Sequence, residues 1–310
     1  MTADPSRILV TGSFGFVGRH LMQALSAAFP YATLLTNTLD VRNVAEVEAV
    51  VRSNRPDVCV HLAAISAVMI GQQAPDDAWR TNFHGTLNLA WMLSRHVPDC
   101  QLLFISSADA YGASFRSGLR LSEAAPLAPL NTYAETKAAA DLALGGMARQ
   151  GLRVVRLRPF NHTGPGQTPQ FVVAAFARQV VRIAAGLQAP VLHVGNLETW
   201  RDFLDVRDVC AAYVACIVHR NLLAPGTILN IASGQTRCIS DVLAELAAIA
   251  GVKVKIEVDK SRVRETDIRI ACGNASRARK RLDWTPTIPW ERTLRDVVDD
   301  WRERIKVERV

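Results

Sequence analysis

The sequence predicts an α/β fold: a doubly wound parallel sheet with a smaller, interleaved α/β lobe. Three observations predict it. Short β-branched, apolar runs recur at 8–11, 33–36, 58–62, 102–106 and 154–157. Helical apolar spacing fills the intervals at 17–28, 44–52, 79–96 and 133–149. A glycine-rich loop joins the first run to the first helical pattern. Strands that are apolar throughout are covered on both faces, and a helix between successive strands is the crossover that parallel pairing needs.

The loop reads Thr11-Gly12-Ser13-Phe14-Gly15-Phe16-Val17-Gly18. Gly12 suits a tight turn that a Cβ would obstruct, Gly15 lets the backbone approach a pyrophosphate, and Gly18 lets helix and strand pack closely. The helix that follows offers unpaired N–H groups to phosphate. The spacing is G-x-x-G-x-x-G, and its place after a strand and before a helix makes it a Rossmann-type dinucleotide loop. The second run ends in Leu35-Thr36-Asn37-Thr38, with neither an acid nor an arginine. An acid there would bind the ribose 2′-OH of NAD and repel a 2′-phosphate. Its absence favours NADP(H), and the absent arginine leaves NAD(H) open. Thr36 is the residue at the ribose. Asp40 and Val41 lie a little further on, as an adenine contact or, for Asp40, a helix cap.

The run at 102–106 ends in Ser106-Ser107, at the sheet edge where such folds bind ligands. The next helical pattern opens with Tyr133-Ala134-Glu135-Thr136-Lys137, and the i, i+4 spacing puts Tyr133 and Lys137 on one face. A phenol is a poor acid–base group at neutral pH. A neighbouring ammonium, together with the positive nicotinamide of an oxidised cofactor, is expected to lower its pKa, so that Tyr133 exchanges a proton with an alcohol oxygen. A serine hydroxyl at the strand end can hold that oxygen.

The pattern changes at the breaker Gly164-Pro165-Gly166. A helical stretch at 170–185, a strand at 191–194, a further sheet strand at 228–232 and a tail helix with Leu294, Val297, Val298, Trp301 and Ile305 on one face complete the chain. The expected division is 1–162 with 199–233 for the dinucleotide and 163–198 with 234–310 for the substrate.

The chain has 310 residues, is 49% hydrophobic and 21% charged, and carries a net charge of +7. This excludes disordered and collagen-like classes. The charge suits an anionic small ligand. Scattered basic residues, with no block interleaved with aromatics, speak against nucleic acid. The six cysteines form no C-x-x-C pair, so reduced thiols are expected and a metal site is not. The longest mostly apolar stretch, 58–70, falls short of the roughly 20 residues that span a bilayer, and no leader pattern is visible; a cytoplasmic location without membrane attachment is expected.

Taken in order, 11–18, His61-Leu62-Ala63-Ala64, Asn82 with Gly85-Thr86-Leu87-Asn88-Leu89, 106–112, 133–137 and Arg158-Pro159-Phe160-Asn161 resemble the extended short-chain dehydrogenases/reductases that act on nucleotide sugars. The stretches 158–167, 194–198 and 201–209 are similar to GDP-6-deoxy-D-mannose reductases. The resemblance implies reduction of the C4 ketone of GDP-4-keto-6-deoxy-D-mannose to GDP-D-rhamnose by NADP(H) or NAD(H), and a homodimer through a four-helix bundle of 82–96 and 133–149. Carried over by position, it implies Ser107, Tyr133 and Lys137 as the catalytic residues. Phe14, Phe16, Val17, Leu62, Ala63, Ala64, Ser66 and Asn82 fall along the cofactor, and a Phe160 backbone amide at the nicotinamide. Asn161, Arg201 and Arg264 would contact the nucleotide sugar, with Asp109 beside it. Three departures stand out. Related 4,6-dehydratases carry Glu where this chain has Asp109, so a dehydratase or epimerase with retained NAD is the alternative. Glu265 stands where Pro is usual, and Thr132 likewise. His162 is read as a hydrogen-bonded bystander.

Overall fold

The computed structural model describes residues 4–36, 38–259 and 268–307. The central sheet joins β1 (Arg7–Thr11), β2 (Thr33–Leu35), β3 (Val58–His61), β4 (Gln101–Ile105), β5 (Val154–Pro159) and, from later in the chain, β9 (Ile228–Ile231). All are parallel, in the order β2-β1-β3-β4-β5-β9. Strand alternation divides the core. Ile8, Val10, Val58, Val60 and Leu103 meet α1 (Phe16–Ala28) and α8 (Val206–Val218) on one face. Leu9, Cys59, Leu102 and Phe104 meet α2 (Val44–Asn54), α5 (Thr86–His96) and α6 (Thr132–Arg149) on the other. Both faces are therefore buried, which is why the strands read as unbroken apolar runs.

Side-chain caps start the helices where the sequence changes pattern. Asn43 accepts from the Glu46 amide at the head of α2, Asn131 from Ala134 at α6, and Asp205 from Arg207 at α8. The stretch expected as one helix over 79–96 differs. Two short helices, α3 (Val68–Gln73) and α4 (Pro75–Ala78), lead into a π-helical segment, Trp79–Gly85, and only then into α5. The wider turn places Asn82 fully inside the protein and brings Gly85 against Val41, where a Cβ would lie 2.5 Å from Val41 Cγ2.

The second lobe is built on β6 (Asn161–Thr163), β7 (Val191–Val194), β8 (Trp200–Asp205), β10 (Thr236–Cys238), β11 (Lys255–Val258) and β12 (Ile270–Ala271), so it draws in 161–162 and 200–205, which the expected division gave to the dinucleotide part. β8 pairs antiparallel with β10 and parallel with β6 and β12, while β11 pairs with β7. Its core gathers α7 (Val172–Ala184), α9 (Ile239–Ala250) and α11 (Trp290–Val307), with Leu294, Val297, Val298, Trp301 and Ile305 buried as the tail periodicity predicts. A short α10 (Ser276–Leu282) returns to the first core through Ala278 and Leu282.

β1 has β2 on one side and β3 on the other, so the connections leave in opposite directions and open a crevice at the strand ends. Gly18 fixes how closely α1 rests there: a Cβ on it would lie 2.3 Å from the Gly12 carbonyl oxygen and 2.5 Å from that of Ser13. Gly18→Ala is expected to lower stability by about 1–3 kcal/mol through overpacking against backbone that cannot yield. A lower denaturation midpoint for the variant checks this.

Candidate active site

The site is assembled at the C-terminal ends of β1, β3 and β4. Gly12 leaves β1 with φ +73°, and a Cβ on it would stand 2.8 Å from the Ala63 nitrogen just past β3. The turn is closed by the Gly15 amide donating to the Gly12 carbonyl, and α1 begins at Phe16. Gly12, Gly15, Phe16, Val17 and Gly18 thus form one bare backbone cradle facing Ala63. Phe14 projects from it, 63% exposed. Leu62, Ala63 and Ala64 are half-buried along the crevice and Ser66 is exposed at its rim. The buried hydroxyls of Ser13, in the loop, and Ser106, just past β4, find no hydrogen-bond partner among the described residues. A cradle that a Cβ would fill and two hydroxyls awaiting partners fit a dinucleotide.

Ser107, Tyr133 and Lys137 come together beneath this crevice. Ser107 opens the 3₁₀ segment Ala108–Ser117, where its oxygen accepts from the Asp109 amide, and its hydroxyl stands near enough to the Tyr133 phenol to favour the phenolate. Tyr133 occupies the first turn of α6 and Lys137 lies one turn on, fully inside, donating to the Ile105 carbonyl at 2.7 Å and standing over the Phe104 ring. Burial pulls the Lys137 ammonium down to about 8. The Tyr133 phenol is pushed above its usual range, first by burial and then by the negative charge of Asp109, and the Ser107 hydroxyl only partly opposes them. In the ligand-free protein, without a positive nicotinamide at its side, desolvation prevails and Tyr133 is protonated at neutral pH.

Three expectations are corrected. The Phe160 amide is spent on the Ile231 carbonyl, because the β5–β9 ladder runs one residue past the strand end, and the ring packs with Tyr111 and Phe115. It offers no donor to a ligand. Asn82 stands behind the crevice, against the helix that carries Tyr133: its side chain accepts from the Ile65 amide and donates to the Ile65 carbonyl and to Thr136, so both of its donors are spent. For Asp40 it is the helix-cap alternative that is corrected: Asn43 caps α2, while the Asp40 carboxylate accepts from the Arg42 side chain and amide and its side chain stays 44% exposed. Val41 is buried with its carbonyl bonded to Asn88, and Thr36 lies half-buried past β2.

On the substrate side, Asn161 and Asp109 are exposed. The Arg201 guanidinium donates to the Trp200 and Ile268 carbonyls. Arg264 and Glu265 lie outside the described residues. His162 bonds to the Phe160 carbonyl and stacks on Phe16, with burial lowering its pKa, as a neutral bystander would.

Sequence reasoning missed a buried network behind the tyrosine helix. Asp141, one turn beyond Lys137, accepts two hydrogen bonds from Arg158 and one from Arg156. Arg158 donates to Tyr111, and Tyr111 to Asn230, whose amide donates to Glu123. The buried polar types in Arg158, Asp141 and Asn230 were the available signal.

The sequence profile described as "GDP-mannose 4,6 dehydratase" matches residues 31–297. The chain is 37% identical to a GDP-6-deoxy-D-mannose reductase of Pseudomonas aeruginosa, over 97% of this chain and 99% of that one. The structure of RMD from Pseudomonas aeruginosa complexed with NADPH superposes with a TM-score of 0.89 at 35% identity, over 96% of this chain and 99% of that one. The UDP-glucose 4-epimerase of Thermus thermophilus in complex with NAD superposes with a TM-score of 0.82 at 26% identity, over 96% and 99% of the two chains.

The buried lysine gives the protein a pH signature. In the unfolded chain its pKa is near 10.5 and in the folded one about 8, so below pH 8 the folded state carries a desolvated charge. The unfolded state binds more protons between pH 8 and 10.5, and stability from this group rises across that window. The stability of Lys137→Met relative to wild type is expected to fall by roughly 3 kcal/mol between pH 8 and 10.5, measured by urea unfolding of the ligand-free proteins.

Proposed function

Because the chain belongs to the GDP-mannose 4,6-dehydratase family of extended short-chain dehydrogenases/reductases, we propose that it reduces the C4 ketone of GDP-4-keto-6-deoxy-D-mannose to GDP-D-rhamnose with NADPH, and with NADH as the second cofactor. The observation that carries this reading is the convergence of Ser107, just past β4, with Tyr133 and Lys137 on α6, where Lys137 reaches across to the Ile105 carbonyl at the end of β4. The likeness to a GDP-6-deoxy-D-mannose reductase supplies the guanine nucleotide and the sugar, and the NADPH in the related structure supports the cofactor.

When bound, the dihydronicotinamide supplies a hydride to the carbonyl carbon. The residues of the chain supply the rest. Ser107 donates to the ketone oxygen and fixes it beside the phenol. Tyr133 gives that oxygen its proton, and because burial and Asp109 keep the phenol protonated, the acid is loaded at neutral pH. Lys137, still largely cationic at neutral pH, stabilises the phenolate left behind. Gly12, Phe14, Gly15, Phe16, Val17 and Gly18 line the diphosphate side of the dinucleotide, with Leu62, Ala63, Ala64 and Ser66 opposite. Asn161, Arg201 and Arg264 take the nucleotide sugar, the arginines suiting its diphosphate.

A second reading rests on Asp109, which is one methylene shorter than the Glu of related 4,6-dehydratases and so does not favour that reading over the reductase. The Asp109 charge acts on Tyr133, and an acid at this position serves water elimination in related 4,6-dehydratases. A dehydratase or epimerase would keep NAD bound and show no net oxidation of added NADPH. Mixing the protein with the keto-sugar and either NADPH or NADH, and following the nicotinamide absorbance, separates the readings. Loss of absorbance is expected, and Tyr133→Phe is expected to bind NADPH normally while turning over about 10²-fold or more slowly. Near-normal turnover by the variant would remove Tyr133 from the role.

The same reading includes a homodimer in which α5 and α6 of two copies pack as a four-helix bundle. Trp91 on α5 and Leu142 on α6 support it, being 52% and 63% exposed. Trp91→Glu combined with Leu142→Glu is expected to yield a monomer in light scattering with the fold intact by circular dichroism. The six free thiols, all buried, support a reducing cytoplasm. Among the described residues no helix is long and apolar enough to cross a membrane.

A further inference from the structure

His61 is fully buried at the end of β3, and both of its ring nitrogens are engaged. Nδ1 lies 2.7 Å from Thr11 Oγ1, at the end of β1, and Nε2 lies 2.9 Å from Thr86 Oγ1, at the start of α5. The hydroxyls fix the proton. Thr86 donates its hydrogen to the Asn82 carbonyl at 2.7 Å, so His61 must donate from Nε2. Thr11 accepts from the Ala63 amide and has Nδ1 as the acceptor for its own hydrogen. In the opposite tautomer the Thr11 hydrogen has no acceptor in the network. The chain of bonds runs on, because Asn82 also donates to Thr136, and Thr136 donates to the Tyr133 carbonyl. Thr11, His61, Asn82, Thr86 and Thr136 are all essentially without solvent exposure.

One arm of the imidazole therefore ends on Ala63, the wall against which Gly12 packs, and the other on the segment that holds the tyrosine helix. We infer that His61 is a positioning residue, a neutral Nε2–H imidazole whose Thr11 arm sets the cofactor crevice and whose Thr86 arm sets Tyr133. The groups facing it agree on neutrality. Lys137 is the neighbouring charge, standing over the Phe104 ring that the imidazole also approaches, and no carboxylate contacts His61 among the described residues. Burial and that ammonium pull its pKa down to about 3. A cationic ring would also strip Thr11 of its acceptor.

The inference rests on the reading of the site as an NADPH-dependent reductase, and its tests separate from that reading. The first needs no substrate. In ¹⁵N-histidine-labelled protein, His61 is expected to show an unprotonated Nδ1 and a protonated Nε2, unchanged from pH 8 to pH 5. A protonated Nδ1, or titration near the usual histidine value, overturns the assignment. The second splits the arms. Asn reaches as far as Nδ1 and Gln as far as Nε2, so His61→Asn keeps the Thr11 arm and His61→Gln the Thr86 arm. His61→Gln is expected to weaken NADPH binding about tenfold by fluorescence titration, with kcat reduced less. His61→Asn is expected to keep NADPH binding within about threefold and to lose about tenfold in kcat. Parallel losses in both variants, or no loss in either, would overturn the two-arm role. If either variant fails to fold, Thr86→Val takes the place of His61→Asn and Thr11→Val that of His61→Gln, with the same split expected. Failure of the wild type to reduce the keto-sugar would count against the proposed reaction alone, since the tautomer and the NADPH titrations stand without it.

Discussion

Gly12 meets the backbone past β3 so closely that a Cβ on it would fall 2.8 Å from the Ala63 nitrogen. This approach is the constraint from which the rest of the site follows. It requires the left-handed turn that sends the chain into α1, and so sets where the unpaired amides at the start of that helix point. It also requires β3 to be the neighbour of β1, which puts the reversal of strand order at this spot. The hydroxyl of Thr11 then reaches both the Ala63 amide and His61, so the wall opposite the glycines is held by the strand that carries them. A ligand entering the crevice meets a surface whose shape was fixed by packing before it arrived, and ordering costs on binding are correspondingly small.

The electrostatics of the reacting groups come from burial more than from charge pairing. Lys137 is desolvated and has the Ile105 carbonyl and the Phe104 ring for partners, which leaves it weakly held as a cation. Tyr133 is desolvated too and sits near Asp109, which holds it neutral. In the ligand-free protein the pair is thus an acid with its proton in place and a cation ready to stabilise the anion formed when that proton leaves. An added positive charge on the dinucleotide would favour the phenolate, and an uncharged one leaves the phenol protonated. The state of the site therefore suits proton donation to a carbonyl oxygen.

Much of this was legible in the sequence, and the misses have physical causes. The parallel sheet was legible because burial on both faces leaves unbroken apolar runs, and the glycine loop because close backbone approach tolerates few residue types. Tyr133 and Lys137 were legible from helical spacing. The helices α8 and α9 were not singled out, since runs such as Val209-Cys210-Ala211-Ala212-Tyr213 offer little contrast between faces. The Phe160 amide was assigned by position, and pairing with Ile231 depends on how far the β5–β9 ladder extends, which no local pattern encodes. The rise of the Tyr133 phenol in the ligand-free protein was not legible, because spacing reveals a neighbouring charge and conceals the depth of burial. Contacts such as His61 to Thr86 join residues far apart in the chain, and the sequence contains the partners without the pairing.

The network around Asp141 shows how α6 keeps its register against the sheet. Two arginines from alternate positions of one strand, Arg156 and Arg158, converge on a carboxylate with no solvent exposure. Such a cluster is a poor source of net stability, because desolvating three charges costs much of what their attraction returns. Its directional demands are strict, however. Arg158 reaches both oxygens of Asp141 and also Tyr111, while Arg156 reaches the Asp141 and Gly226 carbonyls as well as one carboxylate oxygen. A helix shifted by one residue along its axis would leave a buried guanidinium without its acceptor, at a cost far above that of an apolar mismatch. Ala140 and Leu144, the apolar residues beside Asp141, could slide over the sheet with modest loss. The ion cluster cannot, and it lies one turn beyond Lys137. The positions of Tyr133 and Lys137 relative to Ser107 are therefore secured from behind by polar geometry, while the apolar core supplies most of the free energy that folds the chain.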